Sequence, residues 1–221
     1  MTFPALRTYS MNRIICAAVL SVLGGSHPTA AQVVRMGTKG GVSLTTLVGP
    51  GTGVPPSISP LVGAIGGLYR TFALGASSRW VVQAELLYSQ QGYRLSNSST
   101  GYKATLRSNY VCLPVLLTGH YHGFFGEVGP QLGYLAGVRE EYFVPVPGVV
   151  GTGKRVNTDP KGLPRWDGAA VAGLGYQWPS GWSLELRYTG SFTGIYERGR
   201  GTNARPRHAG VQALVSVPLL R

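Results

Sequence analysis

Past residue 31 the 221-residue chain holds three histidines, His120, His122 and His208, and a hydrolytic centre would need one of them beside a nucleophile. Ser191 and Glu197 lie across a hairpin from His208, whereas His120 and His122 fall at a short turn. Histidines in loops are more often simply solvated, so no catalytic residue is expected. The run from Gly148 to Gly153-Lys154 has the spacing of a phosphate-binding loop. Arg155 stands where Ser or Thr would hold magnesium, and no strand-then-helix frame surrounds it. Asn97-Ser98-Ser99 has the glycosylation-acceptor spacing and is assigned no role. Cys112 is the only cysteine after residue 31, which excludes an intrachain disulfide and a cysteine-based metal site. The residues call for no metal and no cofactor.

A different chemistry is carried by polar residues set among apolar ones at every second position. In the stretch from Trp182, the side chains Trp182, Leu184, Leu186 and Tyr188 alternate with Ser183, Glu185, Arg187 and Thr189. From Trp80, Val82, Ala84, Leu86 and Tyr88 oppose Gln83, Glu85 and Ser89. Val34, Met36, Val42 and Leu44 oppose Arg35, Lys39, Ser43 and Thr45. From Phe124, Val128, Leu132 and Tyr134 oppose Glu127 and Gln131. The last stretch sets Val211, Ala213, Val215, Val217 and Leu219 against Gln212, Leu214 and Ser216. Period-two alternation is the mark of strands with two unlike faces. With weaker candidates at 63–72, 110–120 and 168–178, the total is about eight strands, the smallest number that outer-membrane-type barrels use.

The start of the chain explains where such strands would go. Arg7 and Arg13 precede the apolar run 14–23, and Thr29-Ala30-Ala31 precedes Gln32. This is the layout of a cleaved secretory signal. The run is about 10 residues, half of what a spanning helix needs. Met11 serves as well as Met1 for a start, and either gives the same mature chain. Cys16 lacks the setting of a lipoprotein signal, so no lipid anchor is expected. The division is thus a signal peptide over 1–31 and one barrel domain over 32–221, about 190 residues and sufficient for a single closed barrel.

Connections separate into two kinds. Short turns fall at 75–79, at His122-Gly123 and at 179–181, while long polar or Gly/Pro-rich loops fall at 48–60, 92–108, 138–167 and 193–208. Short turns at one end and long loops at the other describe an all-β, eight-stranded, antiparallel up-and-down transmembrane barrel in the outer membrane of a Gram-negative-type cell. Phe72, Trp80, Tyr121, Phe124, Trp178 and Trp182 bracket the short turns and form an aromatic belt of the kind found at membrane interfaces. A soluble lipocalin-like barrel would show the same alternation with its faces exchanged. The belt, the small residues Ala84, Gly126 and Ala172 on the apolar face, and the unequal connections favour lipid outside.

Lipid outside puts Arg35, Lys39, Glu85, Glu127, Gln131, Glu185 and Arg187 in a narrow interior. Enclosed charges must be paired, so Arg35, Lys39 and Arg187 are expected to meet the three glutamates in a plugged polar core. A narrow porin-like channel for small solutes is the alternative. The chain has 20 Lys and Arg against 8 Asp and Glu, a net charge of +12. Arg198, Arg200, Arg205 and Arg207 crowd the last loop, where they would be solvated or would hold lipopolysaccharide phosphates. The expected partners are outer-membrane lipids, lipopolysaccharide and other envelope proteins; nucleic acid is not expected. Tyr142-Phe143-Val144-Pro145-Val146-Pro147 would extend a strand above the membrane or dock a partner.

Several segments resemble the PorT-like family of outer-membrane β-barrel proteins: Gly37-Thr38-Lys39-Gly40-Gly41-Val42-Ser43, Gln83-Ala84-Glu85-Leu86-Leu87-Tyr88-Ser89-Gln90-Gln91-Gly92, Leu113-Pro114-Val115-Leu116-Leu117, Gly129-Pro130-Gln131-Leu132-Gly133-Tyr134 and Gly173-Leu174-Gly175-Tyr176. The resemblance implies an eight-stranded outer-membrane barrel of a kind that usually has no assigned enzymatic activity, and it offers no catalytic residues to carry over. Unlike many such barrels, the chain closes on Val217-Pro218-Leu219-Leu220-Arg221 without a terminal aromatic residue. N-terminal sequencing of the protein recovered from outer membranes is expected to begin at Gln32, whether Met1 or Met11 initiates.

Overall fold

A computed structural model of the chain describes residues 35–49, 57–75, 79–97, 101–144, 153–158, 163–194 and 206–220. The leader segment 1–31 lies outside them. The strands are β1 (Arg35–Val48), β2 (Ser57–Ala73), β3 (Trp80–Asn97), β4 (Tyr102–Tyr121), β5 (Phe124–Val144), β6 (Gly153–Asn157), β7 (Trp166–Gln177), β8 (Ser183–Gly194) and β9 (Arg207–Leu220). Each pairs antiparallel with its neighbour in the sheet, β5 with β7 as well as with β6. β9 returns to β1 in the register Leu44↔Val211, which closes eight strands into a ring. Closure leaves no open edge within the wall. β6 stands outside the ring, paired to the far end of β5 through Glu140↔Asn157 to Val144↔Gly153.

Alternation in the chain becomes two faces of the wall because successive strand residues point to opposite sides. On β8, Leu184, Leu186 and Tyr188 are about half exposed outward, while Ser183, Glu185 and Arg187 are buried inward. On β1, Val42 and Leu44 face out and Ser43 and Thr45 face in. Val115, Leu117, Val128, Leu132, Val211 and Val215 continue this outward apolar surface around the ring. Such a band is tolerated only against lipid, which sets aside the soluble barrel. Trp80, Tyr121, Phe124, Trp178 and Trp182 are exposed at the short-turn end; Phe72 is half-buried there, with the Arg70 guanidinium 5.2 Å from its ring. The tightest turn, between Tyr121 and Phe124, has φ of 50° at His122 and 86° at Gly123. Positive φ at both central residues is what a two-residue type I′ hairpin requires, so His122 serves the backbone.

All four predicted long loops prove to be partly strand, 193–208 through the end of β8 at Gly194 and the start of β9 at Arg207. Within 92–108, β3 continues to Asn97 and β4 begins at Tyr102; within 138–167, β5 reaches Val144 and is joined by β6; within 48–60, β2 begins at Ser57. The Tyr142–Val144 stretch therefore extends a strand, and residues 145–147 lie outside the described residues. Beyond the lipid band the outer side of the wall meets water, so its outward residues turn polar and the membrane pattern stops. The hydrogen-bonded ladder needs no such pattern and runs on. β6 includes Lys154 and Arg155, so this half of the phosphate-loop-like run is strand.

The interior differs from the predicted polar core. Polar side chains dominate one level, but toward the long-loop end Ile65, Leu87, Tyr110, Cys112, Leu135 and Leu214 form a buried apolar cluster. A second cluster, Leu47, Tyr93, Leu106 and Val138, follows, with Ile58 and Leu95 against it; Leu163 packs on both. At the height of the second cluster the outer wall faces water, and there an apolar interior is the favourable arrangement, as in a soluble barrel. Residues 32–221 refolded in detergent are expected to give a strand-rich circular dichroism spectrum and a gel mobility that changes on boiling.

Candidate functional site

Four strands bring one group of charges together in the lumen. β1 supplies Lys39, β3 supplies Gln83 and Glu85, β5 supplies Glu127, and β8 supplies Glu185 and Arg187, all buried on inward positions. Lys39 Nζ donates to Glu85 Oε1 at 2.7 Å and to both oxygens of Glu185 at 2.8 and 2.9 Å. The Arg187 guanidinium takes Glu85 in a fork, Nη1 to Oε2 at 2.7 Å and Nη2 to Oε1 at 2.6 Å. Its Nε donates to Glu127 Oε1, and Nη2 lies 3.2 Å from Glu185 Oε1. Gln83 Nε2 adds a hydrogen bond of 2.7 Å to Glu85 Oε1. The Lys39 ammonium also sits 5.4 Å from the Tyr69 ring centre.

Glycine makes this packing possible at one point. Glu127 pairs with Gly173 on β7, and Gly173 pairs with Arg187 on β8, so the arginine reaches the glutamate over a strand with no side chain there. A Cβ at Gly173 would stand 2.8 Å from Glu127 Oε1 and 2.9 Å from Arg187 Cγ. The side chains of the ion-paired group are at most 1 % exposed. Forked, charge-assisted bonds are the strong kind of hydrogen bond, and here they replace the water that the group has lost. Such an arrangement holds strands in register. It presents no activated nucleophile.

Of the predicted interior residues, Lys39, Glu85, Glu127, Glu185 and Arg187 come together. Gln131 is buried in the same lumen but outside the ion-paired group. Arg35 departs from the expected network: at the first position of β1 it is exposed at the short-turn mouth, its Nη1 3.4 Å from Gln177 Oε1. Inward parity alone led to its inclusion, and parity carries no information on height along the axis. Gln83, Tyr69 and Gly173 were not among the predicted site residues. Gln83 could have been found from its place on the polar face; Gly173 carries no signal beyond its size. Beneath the group a cavity of about 330 Å³, lined by Arg35, Gln83, Thr118, His120, Glu185 and Ser216 among others, lies toward the short-turn mouth.

Among the described residues, Ser191 does not join His208 in a hydrolase arrangement. Ser191 Oγ donates to Asp167 Oδ2 at 2.7 Å, and the buried His208 ring lies edge-on to Tyr110 with centroids 6.2 Å apart. Glu197 lies outside the described residues, as do Arg198, Arg200 and Arg205; Arg207 is exposed at the start of β9. For the ion-paired group, Arg187→Met leaves three carboxylates facing Lys39 and is expected to cost about 3–5 kcal/mol, the range for breaking a buried pair. Glu127→Gln leaves two cations against two carboxylates and is expected to cost much less. The urea midpoint of the boiling-sensitive gel band measures both.

Comparison with known proteins agrees with this architecture at the level of family. The family described as outer membrane protein beta-barrel domain matches residues 30–197. Among solved structures, Neisserial surface protein A is similar, with 11 % identity over 82 % of this chain and 96 % of that one and a TM-score of 0.44. The attachment invasion locus protein Ail of Yersinia pestis, in complex with the heparin analogue sucrose octasulfate, shows 10 % identity over 83 % of this chain and 97 % of that one, with a TM-score of 0.42. No curated protein matches. The matched segment takes in β1 through β8, with the whole ion-paired group, and by this match the chain belongs to the outer membrane protein β-barrel domain family.

Proposed function

We propose that the protein is a closed, non-enzymatic barrel of the outer membrane, with a structural or interaction role carried by the hairpins that rise above the lipid. The observation that carries this reading is the filled lumen. The Lys39–Glu85–Glu185–Arg187–Glu127 layer lies in series with two apolar clusters, and Leu163 packs against both of those. An ion would have to part buried pairs and then cross an apolar core without its hydration shell, which is costly. The narrow porin-like alternative gains no support from such an interior.

Absence of enzymatic activity is part of the proposal and is supported by the commitment of Ser191 to Asp167, away from His208. Within the family, a finer placement beside PorT-like proteins rests on the segments 37–43, 83–92 and 129–134. Export through a signal peptide cleaved after Ala31 belongs to the same reading. The protein inserted into planar bilayers is expected to give no steady conductance. Reproducible unitary steps that scale with salt concentration would replace the closed-barrel reading with a pore.

A further inference from the structure

Above the lipid band, the outward wall of β3, β4 and β5 gathers cations. Arg94 on β3, Lys103 on β4 and Arg139 on β5 are exposed, and Arg107 on β4 is half-buried. Arg107 and Arg139 are register partners on this face, and Arg94 pairs with Thr105 between Lys103 and Arg107. Like charges directly opposite on adjacent strands repel. Glu141 offsets one of them, 2.9 Å from Arg139, so the face keeps a cationic excess.

Height along the barrel says what the excess would meet. On the outward side of β4 the order from the short-turn end is Leu117, Val115, Leu113, Val111, Asn109, Arg107. Gly119, opposite Trp80 of the aromatic belt, lies twelve residues beyond Arg107 on β4, which for a strand tilted near 40° is roughly 30 Å of height along the barrel axis. The apolar band is about 25 Å tall, which puts Arg107 and Arg139 just past its outer edge. Tyr88 and Tyr134 mark that edge, with the Tyr88 hydroxyl donating to Asn109 Oδ1 at 2.9 Å. Arg107 Nη1 donates to Gln90 Oε1 at 3.2 Å. Gln90 pairs with Asn109, one outward step nearer the lipid than Arg107, so the guanidinium leans along the wall toward the membrane.

We infer that Arg94, Lys103, Arg107 and Arg139 form a binding face for the phosphate groups of the outer-leaflet glycolipid, lipopolysaccharide. Guanidinium groups suit phosphate oxygens in a fork, and a phosphate between Arg107 and Arg139 would remove their repulsion. This face is distinct in sequence from the last-loop arginines and stands on the outward side of the wall, just beyond the lipid band. It gives the interaction role proposed above a lipid partner, and it fails separately from that reading, because conductance is indifferent to lipid binding.

The test is titration of the detergent-purified protein with lipopolysaccharide and with the same lipid after enzymatic dephosphorylation. The Arg94→Gln, Lys103→Gln, Arg107→Gln, Arg139→Gln variant is expected to bind intact lipid at least tenfold more weakly at low salt. Wild-type protein should bind the dephosphorylated lipid about as weakly. Gln at Arg198, Arg200, Arg205 and Arg207 should change affinity less than twofold. Equal affinity of wild type for the two lipids overturns the inference, as does full affinity in the first variant or transfer of the loss to the last-loop variant. If the first variant loses its boiling-dependent mobility, the comparison of lipids on wild-type protein decides.

Discussion

Charges enclosed by a wall whose other side faces lipid have no solvent to turn to, and this constraint organises the barrel. Lys39 and Arg187 must be met by Glu85, Glu127 and Glu185 at hydrogen-bonding distance, and they are. The pairing in turn needs four strands at one height and Gly173 between Glu127 and Arg187. It needs closure as well, since Lys39 lies on the first strand of the ring and Arg187 on the seventh in ring order. The ion-paired layer is therefore a product of the ring and a reason for its register.

The same wall obeys opposite rules at its two ends. Where lipid surrounds it, leucine and valine face out and charge faces in. Where water surrounds it, Arg94, Lys103 and Arg139 face out, and Tyr93, Leu106 and Val138 pack within. One strand can satisfy both rules because the backbone ladder is indifferent to which face is apolar. The change on β4 comes between Val111 and Arg107, with Asn109 at the boundary.

Much of this was legible in the residues. The outward series Leu184, Leu186, Tyr188 and the inward series Ser183, Glu185, Arg187 are plain in the chain, and so are the turns at His122-Gly123 and 179–181. The outer reaches of β3, β4 and β5 were harder to read. Polar residues such as Arg94, Lys103 and Arg107 resemble loop when judged by a membrane rule that no longer applies at their height. Arg35 was misplaced for a related reason: alternation tells which side of the wall a residue faces, but its exposure at the mouth depends on depth. The apolar clusters of the lumen were missed because Leu87 and Leu135 look out of phase only if the whole interior is taken to be polar.

Lys39 and Glu185 are 146 residues apart in the chain, and Arg187 and Glu85 are 102 apart. Contacts of such range form only after long loops have been closed, and folds dominated by them assemble slowly. While β8 is still undocked, Glu85 has only Lys39 and Gln83 from this group, and Glu127 has no cation from it. The final strands therefore bring the charge that stabilises strands already in place. Assembly is accordingly cooperative, with a partial ring holding poorly satisfied carboxylates and the completed ring fixing its own seam.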